Sequence, residues 1–185
     1  VLGELQQAFS ALSTDHNYFL YYQVSSLKGK HLLNAWLKLL VAVAADAPVQ
    51  SAYLFALSKD EVQQIKLSAP SKEVALEQIA IALEWYWQCW HKPIPHLPNT
   101  LHKLFNKRNE LEEKAKSEQD LMDQMVKYVG TLLKEEYDEL ASDYLKRCLP
   151  TFNESFESDY QEWLEEWGAL MQGMAGYMEI IKEDN

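Results

Sequence analysis

YFLYYQVSSLKGKHLLNAWLKLLVAVAA, residues 18–45, holds the change of period on which the fold turns. Tyr18 to Val24 is dense in aromatic and β-branched residues, the composition of a strand covered on both faces, and it predicts a central strand. Ser25 to Gly29 reads as a loop. From Lys30 to Ala45 the spacing becomes helical: Leu33, Trp36, Leu37, Leu40 and Val41 fall on one face. Asp46 to Pro48 ends that helix. A two-sided strand followed by a one-sided helix predicts that the helix packs across a sheet.

The pattern continues on both sides. Leu2 to Ala8 reads as a first strand, and Asp15-His16-Asn17 as a turn. Ala52 to Leu57 predicts another strand, Lys59-Asp60 a turn, and Val62 to Leu67 alternates as a half-buried return strand should. Pro70 and Ser71 open a helix through Trp90. Its stripe Leu76, Ile79, Leu83, Trp87 and Trp90 predicts an inward face; Trp85 falls well off that stripe, to be covered by the C-terminal helices or by another subunit. Pro93, Pro95 and Pro98 break the helix into an extended segment. From Asn99 onward the chain reads as helical. Asn99 caps a helix carrying Leu101, Leu104 and Phe105, and Ser117 with Asp120 resembles a capping box before Met122, Met125, Val126, Val129 and Leu133. Asp143 to Leu149 is a short helix stopped by Pro150. Ser155 to Met174 is an amphipathic helix with Trp163 and Trp167 among its core anchors.

Charge is unevenly spread. Residues 1–105 hold eight Lys and eight acids, whereas residues 106–185 hold nine Lys or Arg and twenty acids, so the net charge of −11 lies in the latter part. That surface repels phosphates, and any nucleic-acid contact belongs to the neutral part, where Lys28, Lys30 and Lys38 are the candidate phosphate contacts. Cys89 and Cys148 read as reduced thiols of a cytoplasmic protein, not as a disulfide framework. No apolar run reaches membrane-spanning length, so no membrane contact is expected. The opening Val-Leu-Gly-Glu reads as a cut within a longer chain.

Three segments resemble the C-terminal region of the RecC family, the gamma chain of exodeoxyribonuclease V. Residues 21–45, YYQVSSLKGKHLLNAWLKLLVAVAA, look like the family's last core strand, its loop and a helix with a Trp-Leu pair, here Trp36-Leu37. Residues 82–98, ALEWYWQCWHKPIPHLP, resemble a helix bearing Glu84 and Tyr86 that runs into Pro93-Ile94 and Leu97-Pro98, with Cys89 where the family has Gly. Residues 142–152, SDYLKRCLPTF, resemble an Asp-x-Tyr-Leu, then Pro-x-Phe signature.

The resemblance implies an α/β (α+β) chain. Its expected parts are a degenerate restriction-endonuclease-like core, a mixed sheet flanked by helices, over residues 1–98, with the first part of the core absent, and a helical extension packed on it over residues 99–185. It further implies a bacterial, non-catalytic scaffold of the RecBCD helicase–nuclease in double-strand-break repair and recombination. RecB and RecD would be its partners. DNA would be met in the intact complex, weakly or not at all by this chain alone. Trp85, Pro93 and Pro95 are the candidate partner contacts.

Catalytic chemistry of that fold is missing from the sequence. A metal-dependent nuclease needs an acid on one strand and Asp/Glu-x-Lys on the next, so that carboxylates hold Mg²⁺ beside the scissile phosphate. Tyr18 to Val24 contains no Asp, Glu or Lys; Asp15 precedes it, and Lys28 and Lys30 follow it. Nucleases of the RecB type carry a Gln four residues before a Tyr in the next helix, and here Leu32 stands four before Trp36. His91, His96 and His102 are irregularly spaced around prolines, and Cys89 is the one cysteine close to them, short of a closed zinc set. No catalytic residue, metal or cofactor is expected. Two competing readings are a divergent Mg²⁺-dependent nuclease and an unrelated helix-rich interaction module. Cleavage assays separate the first, and a sheet that fails to pair Tyr18–Val24 with Ala52–Leu57 would favour the second.

Overall fold

A computed structural model describes residues 17–58, 61–91, 98–112, 114–132 and 168–181. These fall into two compact units, one within residues 1–82 and 173–185, the other within 83–172.

Among the described residues the first unit is built on a four-stranded mixed sheet in the order β1-β2-β3-β4. β1 (Tyr18–Gln23) is followed by α1 (Gly29–Ala44) and then β2 (Ser51–Ser58), which runs parallel to β1 with Tyr21 opposite Leu54. A parallel pair needs a crossover, and α1 supplies it. β3 (Glu61–Ser68) returns antiparallel to β2, from Ser58 opposite Glu61 to Ser51 opposite Ser68. The pairing of residues 18–23 with 51–56 is therefore present, and the class is α+β.

Paired residues share a face, so Ala52, Leu54 and Ala56 of β2 lie beside Leu67 and Ile65 of β3, and all five are buried. Lys38 of α1 sits over the ring of Tyr21, the partner of Leu54, which puts α1 on this face. α1 buries Leu32, Leu33, Ala35, Trp36, Leu39 and Leu40. Val41, expected on the buried stripe, is instead 58% exposed. The helix closes on Asp46, whose φ of 57° is left-handed, a conformation that Asp tolerates better than most residues. Asp46 also accepts an ion pair from Lys72, which joins the end of α1 to the start of the next helix.

Two expectations are corrected here. Among the described residues β1 is an edge strand, not a central one, and its Leu20 and Tyr22 are exposed, as is Val24 just after it. Tyrosine tolerates a wet face because its hydroxyl stays hydrated, so aromatic density did not mean burial on both sides. The buried strand is β2. The second correction concerns residues beyond 99, which are not all helical: β4 (Met178–Ile181) pairs antiparallel with β3, Leu67 opposite Met178. Just before it, Tyr177 stacks on Trp36 at 5.5 Å between ring centroids, and its carbonyl accepts from the Ser68 amide at 2.9 Å. The sheet thus recruits residues from beyond the 98/99 boundary.

α2 (Lys72–Cys89) starts where Ser71 caps it, Oγ accepting from the Val74 amide at 3.3 Å. In the second unit, α3 (Pro98–Glu112) buries Thr100, Leu101, Leu104 and Leu111, and α4 (Glu118–Leu132) buries Met125 and Leu132. α4 opens as the capping pattern predicts: the Asp120 amide donates to Ser117 Oγ at 3.1 Å. The Asp120 carboxylate in turn accepts from the Lys116 amide at 3.0 Å. Lys107 of α3 lies over the Tyr128 ring of α4 at 5.7 Å. Helical residues 168–175 bury Leu170, Met171 and Met174, the end of the predicted amphipathic stripe. The expected strand 2–8, the helix 143–149, and Trp163 and Trp167 lie outside the described residues.

Candidate functional site

Among the described residues, two places invite a functional reading. One is the junction of β1 and α1. A cavity of about 360 Å³ opens there, lined by Tyr21, Tyr22, Gln23, Leu27, Lys30, His31, Asn34, Leu54 and Phe55. The β1–α1 loop is shaped by Gln23, whose Nε2 donates to the carbonyls of Ser25 at 3.1 Å and Ser26 at 2.8 Å. The first turn of α1 has no acid. In place of a conventional cap, the backbone amide of Lys28 donates to His31 Nδ1 at 3.2 Å. Burial, then the charges of Lys30 and Lys28, lower the His31 pKa below its ordinary value. A neutral His31 that accepts at Nδ1 carries its proton on Nε2, so that nitrogen is a donor.

The three candidate phosphate contacts are divided by this geometry. Lys30 lines the cavity, Lys28 is the exposed extended residue before the helix, and Lys38 lies with its Nζ 5.4 Å from the centre of the Tyr21 ring. Tyr21 is itself a cavity residue, held above its ordinary pKa by burial, so Lys38 flanks the site from behind. Among the described residues no carboxylate lines the cavity, and no group of three His, Cys, Asp or Glu is arranged to hold a metal. Leu32 and Trp36, the pair at the nuclease Gln/Tyr spacing, are both fully buried core residues.

The other place is the latter half of α2, where the sequence reading inverted the helix. Trp85 is 8% exposed, whereas Leu83, Tyr86, Trp87 and Trp90 are 61%, 61%, 62% and 72% exposed. The buried line is Ala75, Gln78 and Trp85. Gly173 lies against this line: a Cβ on it would overlap Gln78 Oε1. The stripe expected to face inward is therefore the exposed one at Leu83, Trp87 and Trp90, while Trp85, expected off that stripe, is covered within the chain. Tyr86 meets Trp90 edge to face at 6.0 Å, and Trp87 packs on His91 at 4.9 Å, whose Nδ1 lies 2.8 Å from the Trp87 carbonyl. Pro93 and Pro95 lie outside the described residues.

The glutamates mark only part of this face. At 100° per residue, Trp87 lies about 60° from the mean direction of Glu73, Glu77 and Glu84 and Trp85 about 100°, but Trp90 and Tyr86 lie about 120° and 160° away. Glutamates mark solvent more reliably than aromatics mark a core, because a buried unpaired carboxylate costs far more than an exposed ring.

A family model of the RecC C-terminal domain matches residues 1–109, more than half of the chain. No curated protein matches it.

Proposed function

The chain belongs to the RecC C-terminal domain family, and from that premise we propose that it is a non-catalytic scaffold in which a restriction-endonuclease-like core has lost its chemistry and serves subunit assembly. Membership ties it to exodeoxyribonuclease V, the RecBCD complex of DNA repair and recombination. The observation that carries the scaffold reading is the row of exposed aromatic residues on α2. Leu83, Tyr86, Trp87 and Trp90 offer a contiguous apolar face, and Trp and Tyr are the residues that most often anchor protein interfaces. Pro93 and Pro95 follow this face directly and belong to the proposed contact. Trp85 supports it from the buried side. RecB and RecD are the proposed partners, and Lys28, Lys30 and Lys38 supply what phosphate contact the chain makes.

The strand–helix–strand order β1-α1-β2 supports the endonuclease-like reading of the core. Loss of catalysis is supported by the sequence of β1, which has no acid or Lys, and by the core burial of Leu32 and Trp36. The test is capture of purified RecB and RecD by this chain. A Trp87→Ala, Trp90→Ala double variant is expected to lose at least tenfold in affinity for one of them without a change in melting temperature. Unchanged affinity for both overturns the assignment of this face. Mg²⁺-dependent cleavage of linear DNA by the purified chain would revive the nuclease reading.

A further inference from the structure

We propose that the exposed face of α2 is one half of a two-helix seam, and that its occupant is an amphipathic helix of a different chain with basic residues along one side. The face is more regular than a cluster of aromatic residues. Leu76, Ala80, Leu83, Trp87 and Trp90 are spaced four, three, four and three residues apart, the heptad spacing of positions that face a second helix. All five are exposed, Leu76 at 51%. Trp90 is one residue past the helix and keeps its turn, its amide donating to the Trp87 carbonyl at 3.2 Å. At 100° per residue the five fall within about 80° of one another and run about 21 Å along the helix, while Trp85 points about 180° from their centre. α2 is thus apolar on two opposite sides, one buried at Ala75 and Trp85 and one in solvent. A helix that is apolar all round is one that is covered all round.

The two flanks of this stripe differ, and the difference describes the occupant. Glu73, Glu77 and Glu84 lie about 60° to 100° to one side of its centre, and Ile79 and Tyr86 about 60° to 80° to the other. α2 carries these three carboxylates and one cation, Lys72, which is engaged by Asp46. Glu84 accepts from Gln88 Nε2 at 3.1 Å, a neutral donor that leaves its charge in place. A helix with Lys or Arg along the glutamate side meets opposite charges there, and an acidic one is repelled. Ala80 in the middle of the stripe allows close approach, and the bulk of Trp87 and Trp90 calls for small residues opposite them. The same asymmetry argues against a second copy of this chain. Two copies packed antiparallel set glutamates against glutamates, and packed parallel they set glutamates against Ile79 and Tyr86.

This inference rests on the reading of the α2 face as a subunit contact and adds the form and charge of what the face holds. Two measurements on the 185-residue chain test it. The first is capture of purified RecB and RecD. Leu76→Ala and the Glu77→Lys, Glu84→Lys double variant, all at exposed positions, are each expected to weaken capture of one subunit at least fivefold with unchanged melting temperature. The loss in the charge variant is expected to shrink as salt is raised. If Trp87→Ala, Trp90→Ala loses capture and these variants keep it, the contact stands and the helical seam falls. If the tryptophan variant also keeps it, both fall. The second measurement offers two synthetic helices of three heptads with the same apolar stripe, one flanked by Lys and the other by Glu, and follows the tryptophan emission of the chain. The Lys helix is expected to bind at least tenfold more tightly, and the order to invert in the Glu77→Lys, Glu84→Lys variant. General attraction of a basic peptide to a chain of net charge −11 would survive that exchange. Equal affinity for the two helices, or the same preference in both proteins, overturns the seam. A dimer of the chain that Leu76→Ala abolishes overturns it in favour of a second copy.

Discussion

α1 and α2 each carry tryptophan on an apolar stripe, yet the structure uses them in opposite ways. In α1, Trp36 is fully buried and stacked on Tyr177. In α2, Trp87 and Trp90 stand in solvent while Ala75 and Gln78 take the buried line. α1 lies on a sheet face whose Ala52 and Ala56 leave room for bulk. α2 meets Gly173, whose missing Cβ leaves room for the Gln78 side chain. A helical stripe shows that one face can be covered. The shape of the opposing surface decides which face it is.

The contrast is broken most directly at the tryptophans. Trp36→Ala is expected to cost about 3–5 kcal/mol, the usual loss for a fully buried aromatic residue. Trp87→Ala is expected to stay within about 0.5 kcal/mol of the parent, as surface changes do. Chemical denaturation checks both, and a large loss at Trp87 would mean that the face is covered. Trp36→Phe sharpens the first half of the contrast. It keeps a ring against Tyr177 and removes an indole N–H that has no acceptor among the described residues. Its expected cost is below about 1.5 kcal/mol.

The caps differ in the same way. α2 has a side-chain cap in Ser71, so Ser71→Ala is expected to lose about 1 kcal/mol. Thermal unfolding that shows no loss would place the start of α2 elsewhere. Gly173→Ala tests the close approach to Gln78. The overlap falls on the end of a side chain that is only 9% exposed, so it has little room to move. A loss of about 1 kcal/mol is expected, largely recovered in the double variant with Gln78→Ala. Failure of that recovery would place the clash on the backbone.

The smallest effect is pH dependence. His31 in α1 and His102 in α3 are both held below the ordinary histidine pKa, His102 by burial alone. Each is neutral in the fold, with His31 Nδ1 accepting from the Lys28 amide and His102 Nε2 lying 3.2 Å from Asn106 Nδ2. The unfolded chain then binds more protons, so stability is full above about pH 6.5 and falls as pH drops through and below that value. The His102→Asn variant is expected to show a shallower acid limb in urea titrations between pH 7 and 5. An unchanged limb would assign the acid sensitivity to other groups.

Legibility followed sequence distance. α1, the β2–β3 hairpin, and the Ser71 and Ser117 caps were all readable, because each depends on residues within a turn or two of itself. The candidate phosphate contacts Lys28 and Lys30 were also readable as a pair, since they adjoin one helix start. The cavity was not, because its wall joins residues 21–34 to Leu54 and Phe55 through a parallel pairing. Trp87 and Trp90 were not readable as exposed, because an apolar stripe does not say which surface, if any, meets it.

By itself the sequence determined the order of elements from residue 18 to 132, the missing acids of β1 and the family to which the chain belongs. Period, capping and local charge are properties of neighbours along the chain. Only the tertiary structure decided that β1 is an edge among the described residues, that Met178–Ile181 joins the sheet and that α2 buries Gln78 and exposes Trp87. A four-residue strand has too little pattern to announce itself, and its pairing with β3 spans more than a hundred residues. Contacts at that distance are selected by the shape and hydration of the surfaces that meet, which no local spacing encodes.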